Sequence, residues 1–293
     1  MRFVHLSDPH LSSLDARGYG SVSGKRRLGM LSWNRRRRHH HRREVLDALR
    51  VAALAERPDL VLISGDFVQL GLGDEIAQVR AWLDAFEGVP VRIVPGNHDF
   101  YQPDSPGPAL AAWAPYLGLA AAAGVDDFPS HLDLGAVRVI GLCSARPMPW
   151  WSAGGEIGGP QLERLDRLLG ESRGRLRCVM LHHPPQPGQC ARRKALGDAG
   201  ALCAVLERHA VELVLHGHVH RNRASRLAGG TRIFATASAS NAATHAPASY
   251  RVFDCTSAAA PWQLAMRLVT VDAGGHAREL EQSSWAAGLP PSS

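Results

Sequence analysis

Apolar residues in this chain fall into short continuous runs and helix-spaced stripes, and the two alternate through the first two thirds. The runs predict strands over 2–7, 59–64, 91–94, 131–134, 137–142, 178–181 and 212–215, each short, rich in β-branched residues and bounded by turn formers. Between them, Val45, Leu46, Leu49, Ala52 and Ala53 make the apolar stripe of a helix expected over 35–56. Further helices are predicted over 74–86, 160–169 and 198–209. Pro160 suits a first turn, where its missing N–H costs nothing, and Asp198 suits a cap. The uncharged stretch 106–125 approaches membrane-spanning length, but it is mostly alanine and holds Pro108, Pro115 and Gly118, so it reads as a loop followed by one or two short buried helices. Past residue 220 the chain is strand-rich to about Val271, and 273–293 is expected to be a poorly ordered tail. Strands alternating with helices, then a strand-rich last third, predict an α/β sheet with a second sheet packed on it. One domain over 1–272 is expected, with an insertion at about 12–43.

The ends of the runs carry the chemistry. The first stops at Asp8-Pro9-His10, the second at Gly65-Asp66, the third at Pro95-Gly96-Asn97-His98-Asp99, and two later ones at His182-His183 and His216-Gly217-His218-Val219-His220. Proline cannot continue a central strand, so Pro9 ends the first run and hands Asp8 and His10 to the surface. Parallel strands in one sheet bring their C-terminal ends together, so these side chains should meet although more than two hundred residues separate them. The cluster offers oxygen and imidazole without sulfur, which suits Mn²⁺, Fe or Zn²⁺ and argues against a cysteine-based structural zinc. One ion would take about three protein ligands. The candidates are too many for one and suit two ions that share a bridging carboxylate. Such a pair clamps a phosphate and acidifies a bridging water until its hydroxide attacks near neutral pH, which points to phosphoester hydrolysis.

With these motifs in their order and spacing, the chain resembles the calcineurin-like metallophosphoesterases, whose pattern D-x-H, G-D, G-N-H-D/E, H and G-H-x-H stands here between residues 8 and 220. The resemblance implies a four-layer αββα sandwich with a dinuclear site at one edge. It implies that Asp8, His10 and His220 hold one metal, that Asn97, His182 and His218 hold the other, and that Asp66 bridges them. His98 then contacts the phosphate and protonates the leaving oxygen, and Asp99 orients His98. Many relatives carry Asp or Asn where this chain has Gln69, so different hydrogen bonding is expected around that position. His182-His183-Pro184-Pro185, with Gly155-Glu156-Ile157 and Gln161-Leu162-Glu163, looks most like the bacterial class III cyclic-nucleotide phosphodiesterases. That implies a phosphodiesterase acting on a small phosphoester, with a cyclic nucleotide as one substrate.

Composition adds one complication. Across 293 residues the hydrophobic share of 45% and charged share of 20% are ordinary for a soluble domain with a well-buried core. Five cysteines, odd in number and without C-x-x-C spacing, read as reduced thiols of a cytoplasmic protein. Polar residues interrupt the N-terminus at once, which argues against a signal peptide. The net charge of +6 is local: nine Lys or Arg lie between Lys25 and Arg43, and taking them from 33 leaves 24 basic against 27 acidic residues. A solvated charged loop leading into a helix is one reading of that segment. Leu28, Met30, Leu31 and Trp33 beside the cations suit a second, contact with an anionic membrane surface on the inner face, and nucleic acid is a third. The membrane reading carries an alternative function, a peripheral phosphohydrolase or pyrophosphatase of a phospholipid or nucleotide-linked lipid. A non-catalytic scaffold of the same fold is the remaining alternative, and the intact set of motifs argues against it.

Several residues have blander readings. His5, His131, His209, His245 and His276 have no motif around them and are taken as structural. His183 and His216 flank ligand candidates, and for them support of a ligand stands beside a purely structural role. Arg221 and Asn222 lie where a substrate phosphate could touch them, although a solvated loop explains them better, and Trp150-Trp151 lie where they could stack on substrate, although packing explains them at least as well.

Overall fold

The computed structural model describes residues 1–11, 14 and 22–288. Of the expected insertion, 12, 13 and 15–21 lie outside the described residues, as do 289–293 of the expected tail. Strands β1 (Arg2–Leu6), β2 (Leu60–Ile63) and β3 (Val91–Ile93) run parallel, and Val4, Val61 and Val91 share one row. β10 (Ala248–Cys255), β11 (Trp262–Val271) and β12 (Ala277–Ala287) extend this sheet antiparallel, in the order β12-β11-β10-β1-β2-β3. The second sheet is built from β4 (Ser130–Leu134), β5 (Val137–Gly141), β6 (Leu176–Met180), β7 (Leu213–His216), β8 (Arg223–Arg226) and β9 (Arg232–Ala235), ordered β4-β5-β6-β7-β9-β8. Its four central strands are parallel and its two edges antiparallel.

The period-two rule decides what each face meets. Val4, Leu6, Val61 and Ile63 turn outward onto α3 (Arg43–Ala55), α4 (Gly73–Asp84) and α5 (Pro106–Leu117). Phe3, Leu60 and Leu62 turn inward and meet Val139, Cys178, Met180, Leu213 and Leu215 of the other sheet. On the far side, Ile140, Val179 and Val214 pack under α6 (Gly159–Glu171) and α7 (Ala199–Arg208). These are the four layers of the expected αββα sandwich, and each fully buried Leu, Val or Phe contributes about 1.5–3 kcal/mol to holding them together.

Five expectations change. The helix expected over 35–56 is interrupted: α1 (Gly24–Ser32) runs through a π-helical turn (Trp33–Arg37) into the single turn α2 (Arg38–His40), His41 is extended at φ −92° and ψ 103°, and only then does α3 begin. The apolar stripe explains the break, because Val45 and Leu46 face the sheet whereas Met30 and Trp33 join a separate cluster with Leu14 and Leu70. Trp33 is 3% exposed and Met30 0%, so two of the residues expected to meet a membrane surface are spent inside the protein. The segment expected to be a disordered tail instead holds β12, paired along β11. The alanine-rich region forms the helix α5 directly from Pro106, ending at left-handed Gly118. Asp198 precedes α7 without capping it, and its carboxylate accepts the N–H groups of Ile157 and Gly158 at the entry to α6. All five cysteines are free, and no described helix is long and apolar enough to cross a membrane.

Candidate metal centre

Each ligand candidate lies two to four residues past the end of a parallel strand: Asp8 and His10 after β1, Asp66 after β2, Asn97 after β3, His182 after β6, His218 and His220 after β7. The turns that carry them are strained in a common way. Asp8, His10, Asp66, His218 and His220 have φ between 42° and 69°, and they are five of the seven non-glycine residues at positive φ among the described residues. Left-handed backbone costs such residues on the order of 1–3 kcal/mol each and persists only where the surroundings enforce it. Here the loops enforce one another: Asp8 N–H donates to Gly65 O at 3.0 Å, His10 N–H to Asp66 O at 3.0 Å, and Gly217 N–H to His182 O at 3.1 Å. Gly65 allows one such close approach, since a Cβ there would stand 2.6 Å from the Gly96 nitrogen and 2.9 Å from His182 Nδ1.

The seven residues meet in two overlapping groups. Ligand atoms of Asp8, His10, Asp66 and His220 all lie within 4.8 Å of one another, and so do those of Asp66, His182 and His218. Asn97 Oδ1 is 3.2 Å from His182 Nε2 and joins the second group. Asp66 is common to both. Its Oδ1 accepts the His98 N–H at 2.7 Å, while Oδ2 faces His182 Nε2 at 3.4 Å and His10 Nε2 at 3.9 Å.

The donor set fits two cations. His10 Nδ1 donates to Val68 O and His182 Nδ1 to Ser64 O, which fixes the tautomers and leaves both Nε2 lone pairs aimed inward. His10 Nε2 then faces His220 Nε2 at 3.2 Å, and His182 Nε2 faces His218 Nδ1 at 3.2 Å. Asp8 Oδ2 is satisfied by Ser7 Oγ and the His218 N–H, but Oδ1, buried 3.1 Å from His220 Nε2, has no hydrogen-bond partner, and neither has His218 Nε2. Converging lone pairs and a bare carboxylate oxygen call for positive charge between them. The titration behaviour agrees. Burial would raise the Asp66 carboxyl, yet the imidazoles of His182, His98 and His10 hold it well below the usual range. Burial lowers His182, yet Asp66 pulls it up to about 9, so the site draws positive charge, a proton or a metal ion, onto that Nε2.

His98 and Asp99 are each placed differently from expectation. The His98 ring stands outside both groups, donating from Nδ1 to Gln69 O at 2.7 Å and accepting at Nε2 from the Arg37 guanidinium at 2.8 Å. Burial and the Arg37 charge push its pKa down to about 3, so the ring is neutral here. Asp99 does not orient His98. Its Oδ1 accepts the N–H groups of Phe67 (2.8 Å) and Val68 (3.2 Å), and its Oδ2 those of Asp66 (3.0 Å) and Gly96 (2.7 Å), so it positions the turn that carries Asp66. Burial and the Asp66 charge raise the Asp99 carboxyl, against the Gly96 and Val68 N–H groups and the His182 imidazole.

Arg37 and His41 are the site residues that sequence reasoning missed. Arg37 is also held by Gln69 Oε1 at 3.2 Å, so the expected change at Gln69 is an anchor for an arginine. Both residues come from a basic segment with no motif spacing, and only its unusual density of Arg and His marked it. Among the flanking candidates, His183 packs 4.6 Å from the His218 ring and bonds Ser144 and Ala153, while His216 bonds the neighbouring Gly217 carbonyl. Asn222 is tied to Ser249 and Ala237. Trp150 and Trp151 are 66% and 59% exposed and do not line the cavity over the centre. That cavity measures about 1110 Å³, and Arg36, Arg37, Arg193, Lys194 and Arg221 line it, with His245 at its wall.

Comparison with known proteins agrees with this architecture. The family model for calcineurin-like phosphoesterases matches residues 1–222. A "probable cyclic nucleotide phosphodiesterase" of Synechococcus sp. is 31% identical over 167 residues, covering 56% of this chain and 58% of that protein. A "cAMP/cGMP dual specificity phosphodiesterase" of Mycobacterium tuberculosis is 29% identical over 228 residues, covering 74% of this chain and 61% of that protein. The chain thus spans about three fifths of the length of these curated relatives. A dimetal phosphatase from Danio rerio superposes with a TM-score of 0.68 at 19% identity, over 98% of this chain and 99% of that one. The chain belongs to the calcineurin-like phosphoesterase family.

Proposed function

We propose that this chain is a dinuclear-metal phosphodiesterase acting on a small phosphoester, with cyclic nucleotides as the substrate class of first choice. The observation that carries the reading is Asp66, shared by two buried ligand groups at one edge of the sandwich. Asp8, His10 and His220 hold one divalent ion, Asn97, His182 and His218 the other, and Asp66 both. Manganese, iron or zinc suits this mixture of imidazole and oxygen. When bound, the pair supplies positive charge to phosphate oxygens and acidifies water near neutral pH.

The chain's own groups do the remaining work. Arg37 brings a guanidinium to the cavity wall beside Asn97 and His98, where it stands ready to neutralise a phosphate oxygen. In the state described, His98 Nε2 accepts from Arg37 and carries no proton, so it serves as a donor to a leaving oxygen only once Arg37 has turned to the substrate and Nε2 has taken up a proton from water. The names of the two curated relatives support the substrate class. The test is hydrolysis of bis(p-nitrophenyl) phosphate and of 3′,5′-cyclic AMP by the purified chain with added Mn²⁺, compared with Asp66→Asn. Absence of turnover with Mn²⁺, Fe²⁺ and Zn²⁺ alike overturns the reading.

A second reading has one observation in its favour. The cavity lies just above the roughly 300–1,000 Å³ usual for small ligands, and its five cations exceed what one phosphodiester charge requires. A substrate with two phosphates, such as a nucleotide pyrophosphate, uses that surplus. Comparing kcat/KM for cyclic AMP and a nucleotide pyrophosphate separates the two.

A further inference from the structure

We propose that His41, from the basic insertion, is an additional metal-binding residue that brings a third imidazole to the ion held by His10 and His220. This rests on the two-metal reading above and extends it to a residue outside the motifs of the sequence.

Three observations place the ring. Ligand atoms of His10, His41 and His220 lie within 4.8 Å of one another, and the His41 ring centroid is 4.3 Å from that of His10 and 5.5 Å from that of His220. His41 Nδ1 is engaged with Ser240 Oγ at 2.9 Å, which leaves Nε2 as the nitrogen available to an ion, as an outer hydrogen bond does for metal-bound histidines generally. The backbone is anchored on both sides of the ring: Arg42 N–H donates to Ser240 O at 2.9 Å, Ala242 N–H donates to His40 O at 2.8 Å, and His41 forms a bridge with Asn241. Ser238 links this anchor to the centre itself, because its Oγ donates to Asp8 O at 2.7 Å and lies 3.5 Å from His41 Nδ1. The helix interruption thus sets a half-buried imidazole, fixed by the two backbone hydrogen bonds of that bridge and one side-chain bond, against two ligand imidazoles.

The chemistry makes the proposal specific. Without His41 the ion near His10 meets two imidazoles and two carboxylates, a balanced set. A third imidazole moves that site toward zinc or iron and away from manganese, which favours carboxylate and water. His41 therefore acts on metal choice, and its removal should narrow the preference for Zn²⁺ over Mn²⁺.

The test uses the full chain. Crystals soaked in ZnCl₂ should show an anomalous peak among Asp8, His10, Asp66 and His220, with His41 Nε2 at the roughly 2.0–2.1 Å of a zinc–imidazole bond. Calorimetric titration of metal-stripped protein should show that His41→Ala weakens one of two Zn²⁺ binding events by more than the roughly 10–100-fold that loss of an outer partner costs, with a smaller effect on Mn²⁺. His41→Gln, which keeps a polar group of similar reach, serves as a second variant, and a melting curve of each metal-free variant checks its folding. Two ions bound with His41 uncoordinated overturn the inference while leaving the two-metal reading intact, whatever the affinities. Unchanged Zn²⁺ affinity in both variants overturns it as well. A wild-type chain that takes up no metal overturns both.

Discussion

Asp99→Asn is the perturbation whose outcome follows most directly from the geometry. The carboxylate accepts four backbone N–H groups, two on each oxygen, at 2.7–3.2 Å, and the residue is fully buried. An asparagine replaces one oxygen with an NH₂ group, so whichever way the amide turns, two N–H groups meet a donor. A buried donor left unsatisfied costs about 1–3 kcal/mol, which gives about 2–6 kcal/mol for two. At about 2 °C per kcal/mol for a large domain, the melting temperature should fall by roughly 4–12 °C. Because the freed groups belong to the turn carrying Asp66, metal uptake should fall with it, and elemental analysis beside a thermal melt reads both. Had Asp99 served to orient His98, the variant would instead keep its melting temperature and both ions and lose only turnover. That second pattern refutes the role assigned here.

Three further outcomes are expected. Arg37→Ala should lower kcat/KM on a phosphodiester by about 10²–10³-fold, the range for removing one transition-state donor, while elemental analysis finds both metals in place. His98→Ala should keep both ions, since the ring lies outside the ligand groups, and reduce turnover by roughly two to four orders of magnitude; loss of one ion would show that the ring is a ligand. Trp33→Ala removes a core residue and should cost about 3–5 kcal/mol in denaturant unfolding, with no change in liposome co-sedimentation; selective loss of liposome binding would restore the membrane reading.

How much was legible in the sequence depended on whether the governing force leaves a local mark. Buried parallel strands do, because apolar runs such as Leu60–Ile63 and Leu213–His216 are buried throughout, and the polar residues that stop them fall at the shared edge. Seven motif residues are therefore legible from the sequence. Arg37 and His41 are not, since no period relates a basic helical segment to strand ends far along the chain. Asp99 was assigned to its sequence neighbour His98 because adjacency was the available cue, whereas the carboxylate turns toward another loop. β12 escaped for the opposite reason. It is an edge strand whose exposed faces carry Arg278, Glu279 and Glu281, with Trp285 as its one buried residue, so it shows no apolar alternation. Its pairing with β11 supplies the order that its own sequence does not advertise.

The left-handed turns that hold Asp8, His10, Asp66, His218 and His220 also limit what can replace them. A β-branched residue at such a position would strain the chain as well as lose the ligand, whereas asparagine visits that conformation readily. Asp8→Asn and Asp66→Asn thus change charge on an almost unaltered backbone. They are the cleanest probes of what the ions contribute. A single such substitution would remove a ligand charge and leave the shape of the fold in place.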